Sequence, residues 1–209
     1  MVTLSVDQEL LECLERASTG HRRLCPRQVL GVRMGMLAGE LLGLPLPQQD
    51  KRLYTFVETD GCTVDGIGAA TGCAVGRRTM RIVDFGKVAA TFVDTLTGEA
   101  IRMRPHPLAR ERARASVSPS LDGWHAMLAG YRDLPATEIL LVQPVTLRVS
   151  MAAIIGRPGL RVPCAACGEE IMNAREVVVD ERVLCRSCAG ANYFGLRGDA
   201  IGLTAAAAT

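Results

Sequence analysis

The sequence predicts an α+β fold: a core domain of helices and antiparallel strands over residues 1–155, a small four-cysteine domain over 160–195, and a tail over 196–209. Three patterns lead to this prediction. Apolar residues recur at helical spacing near the start of the chain, and they alternate at strand spacing between residues 53 and 103. Two Cys-x-x-Cys pairs then follow the core.

Two helices are predicted at the start of the chain. The first covers 5–17, with Ser5 as its N-cap and Gln8 three residues later as the capping-box partner. The second begins at Pro26, where the missing N–H of proline costs no hydrogen bond, and runs to about Leu42. Because this second helix is apolar on nearly all sides, we expect it to lie at the centre of the core.

Short strands and helices are expected after the second helix. A strand is predicted at 53–57, followed by a short helix at 62–71. Strands at 80–83 and 87–93 are expected to form a hairpin around Asp84-Phe85-Gly86. The other elements expected in the core are a strand at 99–103, helices at 108–117 and 123–131, and a strand or a helix within 136–152.

The composition argues against several classes of protein. The hydrophobic fraction is 48% and only 4% of residues are aromatic, so we expect an aliphatic core. A net charge of +2 is too balanced to indicate nucleic-acid or membrane-surface binding. The sequence has no apolar run long enough to suggest a membrane span, and its first residues do not suggest a secretory signal. Eight cysteines without an export signal indicate a reducing, cytoplasmic compartment. There we expect the thiols to bind metals or to take part in a reaction.

Four cysteines near the end of the chain have the spacing of a zinc ribbon. They form two Cys-x-x-Cys pairs separated by seventeen residues, Cys164 with Cys167 and Cys185 with Cys188. Four thiolates at this spacing are the ligand set of a tetrahedral structural zinc, with two disulfides as the alternative. A hairpin of 171–172 with 176–179, followed by a returning strand at 181–184, is expected to bring the two pairs together.

The charge of the ribbon argues against nucleic-acid binding. Residues 161–199 hold five arginines against six acidic residues, a net charge of −1. A module that binds phosphate groups should be clearly basic. We therefore expect no nucleic-acid partner.

A thiol at the start of the second helix is the first candidate for chemistry. Pro26 disfavours helical backbone at the residue before it, so Cys25 should be the N-cap. There the thiol faces free backbone N–H groups and the positive end of the helix dipole, which should lower its pKa. His21 lies on the preceding loop and serves either as the base of a nucleophile or as a second metal ligand.

A second thiol begins the short helix that follows the first strand. Cys62 therefore also lies at a helix N-terminus, and Asp65 shares its face one turn later. We expect Cys62 to lie close to His21 and Cys25, and Asp65 to act as a base or to complement the helix dipole. Cys73 should lie at the far end of that helix, about 16 Å away at roughly 1.5 Å per residue.

An arginine inside the apolar second helix needs a partner. The favoured partner of Arg33 is an acid such as Glu58, and the alternative is an anionic group of a ligand. Arg22, Arg23 and Arg27 add positive charge near the first thiol. We therefore expect a small anionic ligand or substrate at this site.

As a set, these motifs resemble the FmdE family of formylmethanofuran dehydrogenase proteins over residues 5–195. The matching motifs are, in order, His21 before Cys25-Pro26, Gly31-Val32-Arg33, Glu58 before Cys62-x-x-Asp65, Gly72-Cys73-x-x-Gly76-Arg77, Asp84-x-Gly86-Lys87 and the four-cysteine ribbon.

The resemblance implies an α+β core in a homodimer, a C-terminal zinc ribbon, and a cleft with His and Cys residues that serves as a metal or active site. On this basis we expect His21, Cys25 and Cys62 to bind a second metal or a small anionic ligand. The protein would support a redox or one-carbon pathway linked to a molybdenum or tungsten enzyme. The alternatives are an enzyme with Cys25 as nucleophile and His21 or Asp65 as base, and a zinc-ribbon interaction module.

The chain departs from the family pattern around the first thiol. The family commonly has His-Gly-His-x-Cys-Pro-Gly, whereas residues 21–27 read His-Arg-Arg-Leu-Cys-Pro-Arg. Arg23 replaces the second histidine and removes one potential metal ligand. Arg27 replaces the glycine and adds positive charge, which favours an anionic ligand.

Overall fold

The computed structural model describes residues 6–156, 159–195 and 197. Its contacts divide the chain between Val149 and Ser150 into two compact units. The first unit contains α1 (Val6–Ser18), α2 (Pro26–Leu42), β1 (Leu53–Val57), α3 (Thr63–Thr71), β2 (Met80–Ile82), β3 (Ala90–Asp94), β4 (Ala100–Pro105), α4 (Ala109–Ala115), α5 (Gly123–Asp133), α6 (Ala136–Ile139) and β5 (Leu140–Pro144). The second unit contains α7 (Met151–Ile155), β6 (Arg161–Pro163), β7 (Glu170–Met172), β8 (Val177–Val179) and β9 (Arg182–Leu184).

Helix α2 is the central helix of the first unit, as its apolar sequence predicts. It begins at Pro26, after the extended N-cap Cys25, and ends at Gly43, whose φ of 62° is left-handed. It packs against α1, α3 and α5. The predicted cap of α1, Ser5, lies outside the described residues. In the described part of the chain, no helix has the length and hydrophobicity needed to cross a membrane.

Two glycines let α2 and α3 approach with their backbones in contact. A Cβ at Gly31 would overlap the carbonyl oxygen of Thr63, and a Cβ at Gly66 would overlap that of Gln28. Further along, a Cβ at Gly35 would lie 2.7 Å from the Cβ of Ala70. The contacts advance in the same direction along both helices, so α2 and α3 run parallel. Their N-termini therefore lie at the same end of the pair.

The five-stranded sheet has the order β2-β1-β3-β4-β5. β1 pairs in parallel with β2, and every other pair is antiparallel. The predicted hairpin of 80–83 with 87–93 is wrong, because β2 and β3 flank β1 on opposite sides. The chain between them crosses the end of β1, where the N–H groups of Phe85 and Lys87 both donate to the carbonyl of Glu58 at 3.0 Å.

The rest of the first unit agrees with the predicted pattern. The strand predicted at 99–103 is β4, and the two predicted helices that follow are α4 and α5. The ambiguous stretch 136–152 holds both kinds of structure, because α6 and β5 lie in it and α7 begins there. The core is mostly aliphatic, and its largest fully buried side chains include Phe92, Met34 and Leu53.

The second unit contains two hairpins. β6 pairs with β7 and β8 pairs with β9, both antiparallel. Asp180 and Glu181, with φ of 46° and 62°, form the tight turn between β8 and β9. The predicted returning strand at 181–184 is confirmed as β9. The predicted pairing of 171–172 with 176–179 is wrong, because β7 pairs with β6 instead.

Candidate metal centre and thiol site

The four ribbon cysteines come together between the two hairpins. The sulfurs of Cys164, Cys167, Cys185 and Cys188 all lie within 4.8 Å of one another. The Sγ atoms of Cys167 and Cys185 are 4.0 Å apart. A tetrahedral zinc with Zn–S bonds of about 2.3 Å separates its sulfurs by about 3.8 Å, so the cluster fits this metal. All eight cysteines are free thiols, which does not support the disulfide alternative.

Backbone N–H groups favour the thiolate form of one ribbon cysteine, which is the form that binds a metal. Cys164 is 3% exposed, and the N–H of Cys185 lies 3.3 Å from its sulfur. Hydrogen bonds from the N–H groups of Cys167, Cys185 and Ala166 lower the pKa of Cys164 to about 6. Hydrogen bonds with the thiols of Cys185 and Cys167 raise the pKa of Cys188 to about 12. Four thiolates at this spacing therefore need a cation between them.

In the core, Cys25 and Cys62 lie at the adjacent N-termini of α2 and α3. Each residue is the N-cap of its helix. Burial and then the nearby thiol of Cys25 raise the pKa of Cys62, although Arg27 opposes the shift. This is the opposite of the direction expected for a thiol at a helix N-terminus, because burial and the second thiol outweigh the nearby positive charge.

Gln28 holds the first thiol in place. Its Oε1 accepts a hydrogen bond from the N–H of Cys25 at 2.7 Å, and its Nε2 donates to the carbonyl of Ala17 at 2.5 Å. The side chain is fully buried, so it ties the end of α1 to the start of α2. Gln28 is not among the site residues that the sequence predicts. The signal was a capping-box spacing, with Gln three residues after a Cys N-cap instead of the usual Ser or Thr.

His21 pairs with a carboxylate on α3. Its Nε2 lies 3.1 Å from Oδ2 of Asp65, and both side chains are partly exposed. Within the described residues, only the ribbon cysteines form a group of three or more potential ligands close enough to share a metal. His21, Cys25 and Cys62 are thus not gathered as a three-ligand site, and their predicted roles stay predictions.

Cys73 lies apart from the thiol pair, as predicted. It follows Gly72, the C-cap of α3, whereas Cys62 caps the other end of that helix. Its buried thiol donates to the carbonyl of Leu53 at 3.4 Å. Cys73 is therefore part of the core.

Arg33 stabilises the C-terminal end of α5. Its guanidinium donates to three backbone carbonyls, those of Tyr131 at 3.3 Å, Arg132 at 2.5 Å and Leu134 at 2.8 Å. Burial lowers the pKa of Arg33. The predicted pairing with Glu58 is wrong, because Glu58 accepts two hydrogen bonds from Arg102 of β4 at 2.6 and 2.7 Å. Binding of an anionic ligand by Arg33 stays a prediction, although two of its nitrogens already bind backbone.

The other arginines expected at the site also have different partners. The guanidinium of Arg23 lies 4.3 Å from the centre of the Trp124 ring, a cation–π contact. Arg27 lies beside Gly61 and is the arginine that acts on Cys62. Arg23 and Arg33 thus contact residues of α5 and its C-terminal end, whereas Arg27 lies beside the N-terminus of α3.

A groove of about 460 Å³ lies between α1, α2 and α5. Its lining is mainly apolar, with Leu11, Leu14, Leu24, Val29, Leu121 and Leu128 among its residues. None of the predicted catalytic or ligand-binding residues lines this groove. The groove is therefore distinct from the thiol site.

Fold and site together define an α+β core protein with a four-cysteine zinc ribbon. Residues 20–139 match the family described as "FmdE, Molybdenum formylmethanofuran dehydrogenase operon". This match covers more than half of the chain, so the protein belongs to the FmdE family. Residues 158–194 match the "Prokaryotic dksA/traR C4-type zinc finger" family. This second match includes all four ribbon cysteines and identifies their site as zinc-binding.

Two further proteins are similar to this chain. A "Probable S-adenosyl-L-methionine-binding protein" of Archaeoglobus fulgidus is 34% identical over 98 residues, which are 46% of this chain and 27% of that protein. The chain thus matches about a quarter of the length of that curated relative. The crystal structure of a "tungsten formylmethanofuran dehydrogenase subunit e (fmde)-like protein" from Syntrophus aciditrophicus is 20% identical, with a TM-score of 0.56 over 88% of this chain and 94% of that one. That likeness confirms the predicted α+β fold.

Proposed function

We propose that this protein binds a second metal ion at the thiols of Cys25 and Cys62, in support of a one-carbon or redox reaction of a molybdenum or tungsten enzyme. The ribbon zinc has a structural role. One observation carries the proposal: two thiols from different helices lie at the N-caps of α2 and α3, whose N-terminal ends pack side by side. The link to a molybdenum enzyme comes from the description of the family, and the link to a tungsten enzyme comes from the description of the similar crystal structure.

The residues around the thiols have the chemistry of a metal site. Thiolate, imidazole and carboxylate are the ligand types that zinc binds in proteins. His21 uses Nε2 to bind Asp65, and a carboxylate behind a histidine is the usual partner of a metal ligand. The buried hydroxyl of Thr63, directly after Cys62, has no hydrogen-bond partner among the described residues. This supports a polar ligand nearby that would supply the partner.

The positive ends of two helices favour negative charge at this site. α2 and α3 run parallel, so their N-terminal N–H groups face the same region, and Arg27 adds a full positive charge. Two thiolates would neutralise a divalent ion. The remaining positive potential would then favour a small anionic ligand, which is the partner that the sequence predicts.

Metal content measured per chain tests the proposal. The intact protein should hold two metal equivalents after purification in reducing buffer, and Cys62→Ser should hold one. Cys73→Ser is the matched control, because its thiol is buried elsewhere in the core, and it should retain both metals. One equivalent in the intact protein, even after incubation with zinc or iron, would reject the second metal.

The second candidate function is an enzyme that uses Cys25 as its nucleophile. The 3.1 Å contact of His21 with Asp65 favours it, because a carboxylate that orients an imidazole is the arrangement of a catalytic base. Alkylation with iodoacetamide separates the two functions. A nucleophile reacts quickly near neutral pH with or without a chelator, whereas a metal-bound thiolate reacts only after the chelator removes the metal.

An anionic ligand should stabilise the protein by mass action. At a concentration one hundred times the dissociation constant, the gain is about 2.7 kcal/mol. Phosphate, sulfate and formate form a suitable panel, and the melting temperature is the measurement. No shift with any member would count against an anionic substrate. We also propose a homodimer in the cytoplasm, and light scattering after size exclusion tests the dimer.

A further inference from the structure

We propose that Cys25 and Cys62 form a reversible disulfide that joins the N-termini of α2 and α3 and closes the thiol site. Two observations carry this inference. The backbones of the two helices that bear these N-caps are held together at Gly31 and Gly66, and Arg27 of α2 lies beside Gly61, next to Cys62. The Cys25 thiol is also near enough to raise the pKa of Cys62. Formation of the disulfide does not depend on a second metal, whereas its effect on metal binding rests on the proposed function.

The positions of the two cysteines suit a cross-link. Both are N-caps, so their side chains lie at the edge of a helix and not inside its hydrogen-bond ladder. The close packing at Gly31 and Gly66 holds the two helix ends side by side. The S–S bond would therefore join two helix ends that are already packed together.

The other two core cysteines lie in different surroundings. The sulfur of Cys13 accepts a hydrogen bond from Arg16 at 3.0 Å, and the thiol of Cys73 donates to Leu53 at the far end of α3. Both are buried. Cys25 is 9% exposed and Cys62 is more accessible, so Cys62 meets an oxidant first.

The reaction consists of two thiol–disulfide exchanges with a low-molecular-weight disulfide, such as oxidised glutathione. Cys62 loses its proton to solvent, and its thiolate attacks one sulfur of the oxidant. The S–S bond of the oxidant breaks, one glutathione thiolate leaves, and a mixed disulfide remains on Cys62.

The second exchange is internal. Cys25 loses its proton, its thiolate attacks the Sγ of Cys62, and the second glutathione thiolate leaves. The two departing thiolates take up the two protons. Two protein thiols are thereby oxidised to one disulfide, and one glutathione disulfide is reduced to two thiols. Excess dithiol reductant reverses both steps.

Peptide mapping of the full-length, zinc-loaded protein tests the proposal. The protein is incubated with oxidised glutathione, its free thiols are blocked with iodoacetamide, and it is digested with trypsin without reductant. Cleavage after Arg23 and Arg27 places Cys25 in the peptide 24–27. Cleavage after Arg52 and Arg77 places Cys62 in the peptide 53–77, together with Cys73.

The expected product is a cross-link between these two peptides, with loss of two iodoacetamide-reactive thiols per chain and recovery of both after reduction. Cys73→Ser is the matched control and should give the same cross-link, which assigns it to Cys62. Cys25→Ser should stop at a stable glutathione adduct on Cys62.

Free thiols at both positions, glutathione adducts that persist on both, or a cross-link that disappears in Cys73→Ser would overturn the proposal. The metal content of the reduced protein is measured in the same preparation. A cross-link without a second metal supports the disulfide and rejects the metal proposal. A second metal without a cross-link at any oxidant concentration rejects the disulfide and leaves the metal proposal intact.

Discussion

The ribbon and the thiol site are both built from cysteines, but different forces assemble them. The ribbon gathers four thiols from a short stretch of chain on two hairpins, and its buried cluster is small, with Ile171 and Leu184 beside Cys164. The thiol site takes one cysteine from each of two helices in a large aliphatic core. The ribbon therefore depends on its metal for order, whereas the core orders the thiol site whether or not a metal is bound.

Loss of the ribbon zinc should have the largest effect. Cys185→Ser removes one of four ligands, and structural zinc contributes about 10–16 kcal/mol to the folding of small zinc domains. Residues 160–195 should lose their protection from hydrogen exchange, and the zinc content should fall, while the core keeps its protection. Ser187→Ala, in the same Cys-x-x-Cys turn, is the control and should retain zinc. Full zinc occupancy in Cys185→Ser would contradict the assignment.

The next largest effect should come from the contact between α2 and α3. A methyl group at Gly66 would overlap the backbone of Gln28, so Gly66→Ala should lower the free energy of unfolding of the core by about 3 kcal/mol. Chemical denaturation provides the measurement. Gly76→Ala is the control, because an added Cβ there meets no atom within 4 Å. The ribbon zinc should be unchanged in both variants. Equal stability of the two would show that the close approach is not what orders this site.

Removal of the Arg33 guanidinium should have a smaller effect. Arg33→Met leaves three carbonyls at the end of α5 without their donor, and we expect a loss of about 2 kcal/mol in unfolding free energy. Arg22→Met, an exposed arginine, should change the stability by less than about 0.5 kcal/mol. If Arg33 instead binds a ligand, its loss would abolish the stabilisation by anions and leave the unfolding free energy of the free protein nearly unchanged.

The cation–π contact should have the smallest effect. The guanidinium of Arg23 and the ring of Trp124 should couple by about 0.5–1 kcal/mol. A double-mutant cycle with Arg23→Gln and Trp124→Leu measures this coupling, with unfolding free energy as the readout. Additive effects of the two substitutions would show that the stacked pair does not help to hold the loop between α1 and α2.

Short stretches of sequence were sufficient to predict several elements of this protein and its zinc site. Proline at a helix start and glycine at its end predict the bounds of α2, since capping involves only neighbouring residues. The spacing of the four ribbon cysteines likewise predicts their zinc site, because both pairs lie on short turns.

Tertiary structure decided what depends on residues distant in sequence. β2 and β3 look like a hairpin in the sequence, but each pairs with β1, because strand order is set by packing across the whole sheet. The partner of Arg33 is the end of a helix about a hundred residues later, and no local pattern indicates it. The sequence predicts that Cys25 and Cys62 approach each other. The reason for it, two glycines that let parallel helices touch, appears only when the helices are packed.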